Sequence, residues 1–196
     1  MPAFIHPDHL TALGVAGGML VFAGFALSNL LPAFLWLAAA GLVLNWVGDS
    51  LDGSLARYRC SERPRFGYFL DHMTDSFSMS LIGIGAGLSP FLSMSACLLV
   101  LIGYLLLTVL SVLEARVRGI LRISFGKIGP TEFRIFLLLL VGVLYWHPQA
   151  VFEVLERNVN VYDAILYVTA AALTIVCLSS ALRVGQELMK EDPELP

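Results

Sequence analysis

The stretch Gly48 to Ser78, GDSLDGSLARYRCSERPRFGYFLDHMTDSFS, sets four aspartates, Asp49, Asp52, Asp71 and Asp75, between segments apolar enough to lie in a lipid bilayer. Asp49, Asp52 and Ala56 recur at intervals of three and four, with Gly53 beside them, so a helix carries them on one face. Asp71 and Asp75 are one helical turn apart, and Gly67 stands one turn before Asp71. The short connection between the two segments predicts antiparallel neighbouring helices whose carboxylate pairs face each other. Carboxylates that close, at the edge of a low-dielectric region, repel unless cations sit between them. An all-oxygen donor set suits Mg²⁺, Mn²⁺ or Ca²⁺ rather than Zn²⁺. Single ionisable residues at helix ends are often simple interfacial anchors. Here the small residues Gly53, Ala56 and Gly67 share the aspartate faces and leave room for a bulky substrate over the ions.

The rest of the chain supplies the setting. Of its 196 residues, 58% are hydrophobic and 14% charged, and the mean hydropathy is +0.80, which excludes an ordinary soluble domain. Six apolar runs, roughly 10–28, 32–57, 67–88, 90–115, 131–147 and 161–184, predict six transmembrane helices in one all-α domain spanning residues 1–196. Residues 1–9 are expected to form an N-terminal interfacial segment and 186–196 a cytoplasmic tail. No positive charge precedes the first run, so it does not read as a cleaved signal peptide. Arg57, Arg59, Arg63 and Arg65 fall between the second and third runs, and Arg116, Arg118, Arg122, Lys127 and Arg134 between the fourth and fifth. Arg183 and Lys190 follow the sixth, and only Arg157 falls on the other side. Basic residues are retained in the cytoplasm, so both termini and the aspartates are expected there. Cys60, Cys97 and Cys177 are dispersed, without metal-ligand spacing or a disulfide framework. No nucleic-acid partner is expected.

Asp49-x2-Asp52-Gly53-x2-Ala56-Arg57, then nine residues, then Gly67-x3-Asp71-x3-Asp75, closely resembles the signature of the CDP-alcohol phosphotransferase family of membrane enzymes. The family core has six transmembrane helices and an N-terminal Pro-Asn-x-x-Thr pattern. Here that pattern reads Pro7-Asp8-His9-Leu10-Thr11, with the asparagine replaced, and the nine-residue gap is one longer than the commonest spacing. The resemblance implies that a CDP-alcohol binds through its pyrophosphate to two divalent cations, Mg²⁺ or Mn²⁺. An acceptor hydroxyl attacks the phosphorus distal to cytidine, and CMP leaves. It implies that Asp49, Asp52 and Asp71 hold one ion and Asp49, Asp71 and Asp75 the other. Asp52, Gly53, Ala56, Arg57 and Gly67 would meet the nucleotide, with a positive-inside anchor as the alternative role for Arg57. A homodimer among membrane lipids is also implied.

His72 after the third aspartate, Ser76 after the fourth, and Thr131-Glu132 at the head of the fifth run resemble the choline/ethanolamine phosphotransferase branch. That likeness favours phosphocholine or phosphoethanolamine transfer to a lipid hydroxyl, with His72 as base and Glu132 as its orienter. Asp75 is the rival base, and helix packing the rival role for His72. The alternative is phosphatidyl transfer from CDP-diacylglycerol, in which Arg116, Arg118, Lys127 and Arg134 form an anion pocket for a phosphorylated alcohol. A cation- or proton-coupled transporter is the alternative of another class, disfavoured because the aspartates stand at helix ends rather than mid-span. His6, His9 and His147 read as interfacial, and Trp36, Trp46, Trp146 and the tyrosines as membrane and belt residues. Gly14, Gly17, Gly18, Gly83, Gly85 and Gly87 suggest close helix packing.

Overall fold

The computed structural model describes residues 4–118, 130–148, 151–154 and 157–191. Its helices are α1 (Pro7–Leu27), α2 (Leu35–Tyr58), α3 (Pro64–Gly87), α4 (Met94–Arg118), α5 (Pro130–Trp146) and α6 (Val161–Glu191), with a 3₁₀ turn at Pro32–Phe34 before α2. α1, Pro32–Tyr58, α4 and α6 are long and apolar enough to cross a membrane. α5 is apolar but has 17 residues. α3 has 24, and its first half carries Arg65, Asp71, His72 and Asp75. The all-α reading holds for this body of helices. Between α5 and α6 the chain adds an antiparallel hairpin, β1 (Val151–Val154) and β2 (Arg157–Asn160), pairing Val151 with Asn160 and Val154 with Arg157.

Local chemistry sets the helix ends. Pro7, Pro64 and Pro130 each open a helix, where the missing N–H is no loss and φ is already helical. α1 therefore starts inside the expected interfacial segment, and α6 runs to Glu191, well into the expected tail. α2 ends in a Schellman motif: the Cys60 N–H donates to the Arg57 carbonyl at 3.1 Å and the Ser61 N–H to the Ala56 carbonyl at 3.0 Å. Cys60 takes the left-handed conformation there, φ 51°, at the position glycine usually fills. The chain thus turns sharply just past Arg57 and enters α3.

One expectation fails. The short connection predicted α2 and α3 packed on each other, yet they barely touch, because α1 packs against both. Small residues make this possible. A Cβ at Gly17 would lie 2.4 Å from the Asn45 nitrogen, so α1 and α2 meet backbone to backbone. On α3, a Cβ at Gly85 would lie 2.7 Å from the Phe22 Cα of α1. The Asn45 side-chain amide donates to the Gly14 carbonyl at 2.9 Å, binding α2 to α1 where no water reaches. α5 packs on α2, and α4 lies between α3 and α6. Val21, Phe25, Leu42, Ile82, Leu144 and Leu166 join the helices in one apolar core.

The two ends are fastened differently. At the end away from the aspartates, Asn29 donates to the Leu88 carbonyl and Asn160 to the Phe91 carbonyl, both at 2.8 Å. Asp163 accepts the Ser93 N–H at 2.8 Å, and the Tyr162 hydroxyl donates to the His147 carbonyl. At the aspartate end, Arg118 of α4 pairs with Glu187 of α6 at 2.7 Å. The three cysteines are free, and Trp36 and Trp146 are exposed, as belt residues are.

Candidate active site

Because α1 holds α2 and α3 apart, a small open cleft lies between them, lined by Thr11, Asn45, Asp49, Asp52, Asp75 and Ser78 among others. Asp52 is fixed on both oxygens. The Thr11 hydroxyl donates to Oδ2 at 2.7 Å, and the Gly53 N–H donates to Oδ1 at 2.5 Å. Thr11 thus fills its place in the N-terminal pattern. Asp8, standing where the pattern has asparagine, forms an ion pair with Arg63, and Arg59 donates to the Ile5 carbonyl. Both contacts tie the start of α1 to the α2–α3 turn. The Asp8–Arg63 pair is solvent-exposed, so it adds at most about 1 kcal/mol.

Asp75 is held from two further helices. The Tyr104 hydroxyl of α4 donates to Oδ2, its ring stacked on Phe133 of α5 at 5.8 Å between centroids. Arg134, the next residue of α5, places Nη2 2.9 Å from Asp75 Oδ1 and Nη1 2.8 Å from Asp49 Oδ2. The Arg134 side chain is 2% exposed, and its Nε has no hydrogen-bond partner among the described residues. Asp71 is more open, its side chain 53% exposed and its Oδ2 3.5 Å from His72 Nδ1. His72 Nδ1 also lies 3.0 Å from the Tyr68 carbonyl oxygen, and its ring leans on Tyr68 at 4.2 Å. With its proton on Nδ1, His72 donates to that carbonyl and keeps a lone pair on Nε2.

The four carboxylates stand less close together than helical spacing predicts. Among the described residues no three His, Cys, Asp or Glu side chains gather as a metal site would require. A guanidinium, not a facing carboxylate, stands between Asp49 and Asp75. Buried carboxylates need a positive partner, and α5 provides one that spacing along α2 and α3 does not reveal. The donor chemistry still fits hard divalent cations, because every aspartate offers oxygen and Asp52 and Asp71 are not engaged by Arg134.

The other anticipated residues fall out as follows. A Cβ at Gly67 would meet nothing within 4 Å, and one at Gly53 would meet only the Arg57 guanidinium, 3.4 Å away at its nearest atom. That face is open as a ligand requires, with Ala56 half-buried beside it. Arg57 is exposed and donates to Ser54 Oγ at 3.3 Å. Arg116 is exposed in the last turn of α4, Lys127 lies outside the described residues, and so does the Glu132 side chain, although its backbone opens α5. The His72–Glu132 pair is thus not described. Of the proposed anion pocket, Arg134 alone is seen at the aspartates, and it is engaged with them. Arg118 is bound to Glu187 instead. Tyr104 escaped the sequence reading, which grouped it with belt tyrosines. Its one signal is a hydroxyl in an otherwise apolar run, a group that needs a partner when buried.

Three comparisons bear on identity. The profile of the CDP-alcohol phosphatidyltransferase family matches residues 4–176. Among solved structures, the fold is similar to that of a phosphatidylinositol phosphate synthase from Mycobacterium tuberculosis with CDP-DAG bound. The TM-score is 0.66 at 24% identity, over 92% of this chain and 87% of that one. No curated protein matches. A profile match across nearly the whole chain displaces the transporter reading. Together with Asp49, Asp52 and Asp75 on the walls of one cleft, it shows that the chain belongs to the CDP-alcohol phosphatidyltransferase family and is a transferase of substituted phosphate groups.

Proposed function

We propose that the protein transfers a phosphatidyl group from CDP-diacylglycerol to a polar or phosphorylated alcohol and releases CMP. The observation that carries this reading is the likeness in fold, over 92% of the chain, to a synthase with CDP-DAG bound. The choline/ethanolamine reading favoured from sequence becomes the second one. The observation in its favour is His72, whose Nδ1 contact with the Tyr68 carbonyl leaves Nε2 able to accept a proton.

In this reading Asp49, Asp52 and Asp71 hold one divalent ion and Asp49, Asp71 and Asp75 the other. Bound there, the ions neutralise the pyrophosphate and stabilise the entering and departing oxygens. The chain's own residues do the rest. Thr11 and the Gly53 N–H fix both oxygens of Asp52, and Tyr104 fixes Oδ2 of Asp75. Gly53, Ala56 and Gly67 leave the face on which the nucleotide lies, and Arg57 presents a guanidinium to its phosphates. The acceptor proton passes to Asp75 Oδ1, or in the second reading to His72 Nε2.

Six helices cross the membrane, with the termini and the cleft on the cytoplasmic side, in a homodimer. The support for orientation is that, among the described residues, Arg57, Arg59, Arg63, Arg65, Arg116, Arg118 and Arg134 stand at the helix ends on the cleft side. The test is direct. Purified protein with Mg²⁺ or Mn²⁺ receives CDP-diacylglycerol, CDP-choline or CDP-ethanolamine, each with glycerol phosphate, inositol phosphate, inositol, serine or diacylglycerol, and products are identified by mass. Phosphatidyl transfer to a polar acceptor is expected. CMP release from CDP-choline with diacylglycerol, and none from CDP-diacylglycerol, would refute it.

A further inference from the structure

We propose that Arg134 competes with divalent ions for Asp49 and Asp75, bridging the two carboxylates whenever no ion holds them. The proposal rests on the reading of these aspartates as metal ligands. Its geometry is on one side chain, Nη1 at 2.8 Å from Asp49 and Nη2 at 2.9 Å from Asp75. The two carboxylates belong to helices that barely touch, so the guanidinium is what joins them.

Charge makes the two occupants exclusive. A divalent ion that took the Asp49 and Asp75 oxygens now held by the guanidinium would stand against a like charge unless Arg134 moved away. The guanidinium is also bound in a way that eases its release. It makes one contact to each carboxylate rather than a two-pronged contact to either, and its buried Nε is unpartnered among the described residues. Arriving ions therefore displace an arginine that is not fully satisfied. Standing between Asp49 and Asp75, the guanidinium also offsets their mutual repulsion.

The test measures Mn²⁺ binding to purified protein in detergent, without nucleotide, by calorimetry or electron paramagnetic resonance. Arg134→Gln should bind Mn²⁺ about tenfold more tightly than wild type, the scale of coupling between competing ligands. Metal-free Arg134→Gln should unfold at lower temperature than wild type, and saturating Mn²⁺ should close that gap. Arg134→Lys, which keeps the charge but reaches one carboxylate at a time, should bind Mn²⁺ with intermediate affinity, and it carries the test if the glutamine variant does not fold. Affinities equal to or weaker than wild type in these variants overturn the competition while leaving the metal reading intact. Absence of Mn²⁺ binding by wild type removes both.

Discussion

Replacing Gly17 with alanine perturbs a residue remote from every reacting group, and the structure fixes what should follow. The new Cβ would stand 2.4 Å from the Asn45 nitrogen and 2.7 Å from the Gly41 oxygen. Those atoms are backbone, so no side chain can swing aside, and α1 and α2 must part by about 1 Å to reach ordinary contact. Alanine gains about 1 kcal/mol over glycine from helix propensity. Overpacking costs about 1–3 kcal/mol, and stretching the buried Asn45–Gly14 hydrogen bond costs about 1 kcal/mol more. The steric terms win, for a net loss of about 1–3 kcal/mol. The same displacement pulls Thr11 from Asp52, now 2.7 Å away, and a 1 Å error at a reacting site costs on the order of 100-fold in rate. Thermal unfolding in detergent and CMP release should therefore fall together in Gly17→Ala. Gly67→Ala, whose Cβ meets nothing within 4 Å, should keep its stability and serve as control. Wild-type stability and turnover in Gly17→Ala would refute the idea that α1 sets the separation of the aspartates.

Three other substitutions probe the cleft. Asp71→Asn should lower turnover by about 100-fold or more at saturating Mg²⁺ or Mn²⁺ while the protein stays folded, since a lost ion ligand removes transition-state charge stabilisation; activity near wild type would sink the two-ion arrangement. Tyr104→Phe removes one hydroxyl, and with it the hydrogen bond to Asp75, so kcat should drop about 10- to 100-fold with KM for the CDP-alcohol little changed. An unchanged kcat would leave Tyr104 a packing residue. His72→Ala separates the two readings of the acceptor: turnover near wild type is expected for phosphatidyl transfer, whereas a loss of about 10²–10⁴-fold, scarcely deepened by adding Glu132→Ala, would restore His72 as the base.

The aspartate motif was legible in the sequence because it is local. Asp49 to Asp75 lie on the two sides of one turn, and helical spacing alone assigns them to faces. The apolar runs located the six helices for the same reason, with errors of about four residues or fewer at every end except that of α6, which runs on to Glu191. What could not be read depends on which third element enters between two others. Connectivity put α2 beside α3, and only the depth of contact permitted at Gly17 and Gly85 shows α1 separating them. Tyr104 and Arg134 stand 29 and 59 residues from Asp75, and no spacing rule links such distances. Arg134 was picked out for its charge but given a place in an anion pocket, because a sequence does not show that the nearest anions are the protein's own carboxylates. The β1–β2 hairpin went unseen because four-residue strands carry too short a pattern to register.

The contrast between the two ends of the helix bundle makes dissolved salt a selective reagent. Away from the cleft, the links run to backbone carbonyls and an amide, and an ionic atmosphere with a Debye length of about 8 Å at physiological strength has little hold on them. At the aspartate end, Asp8–Arg63 is a union of opposite charge open to water and Arg118–Glu187 one whose carboxylate alone is exposed, and mobile ions weaken such pairs. Rising ionic strength should therefore loosen the protein from the aspartate end alone, with the opposite end still closed, so that partial unfolding in brine would begin around the aspartate cleft.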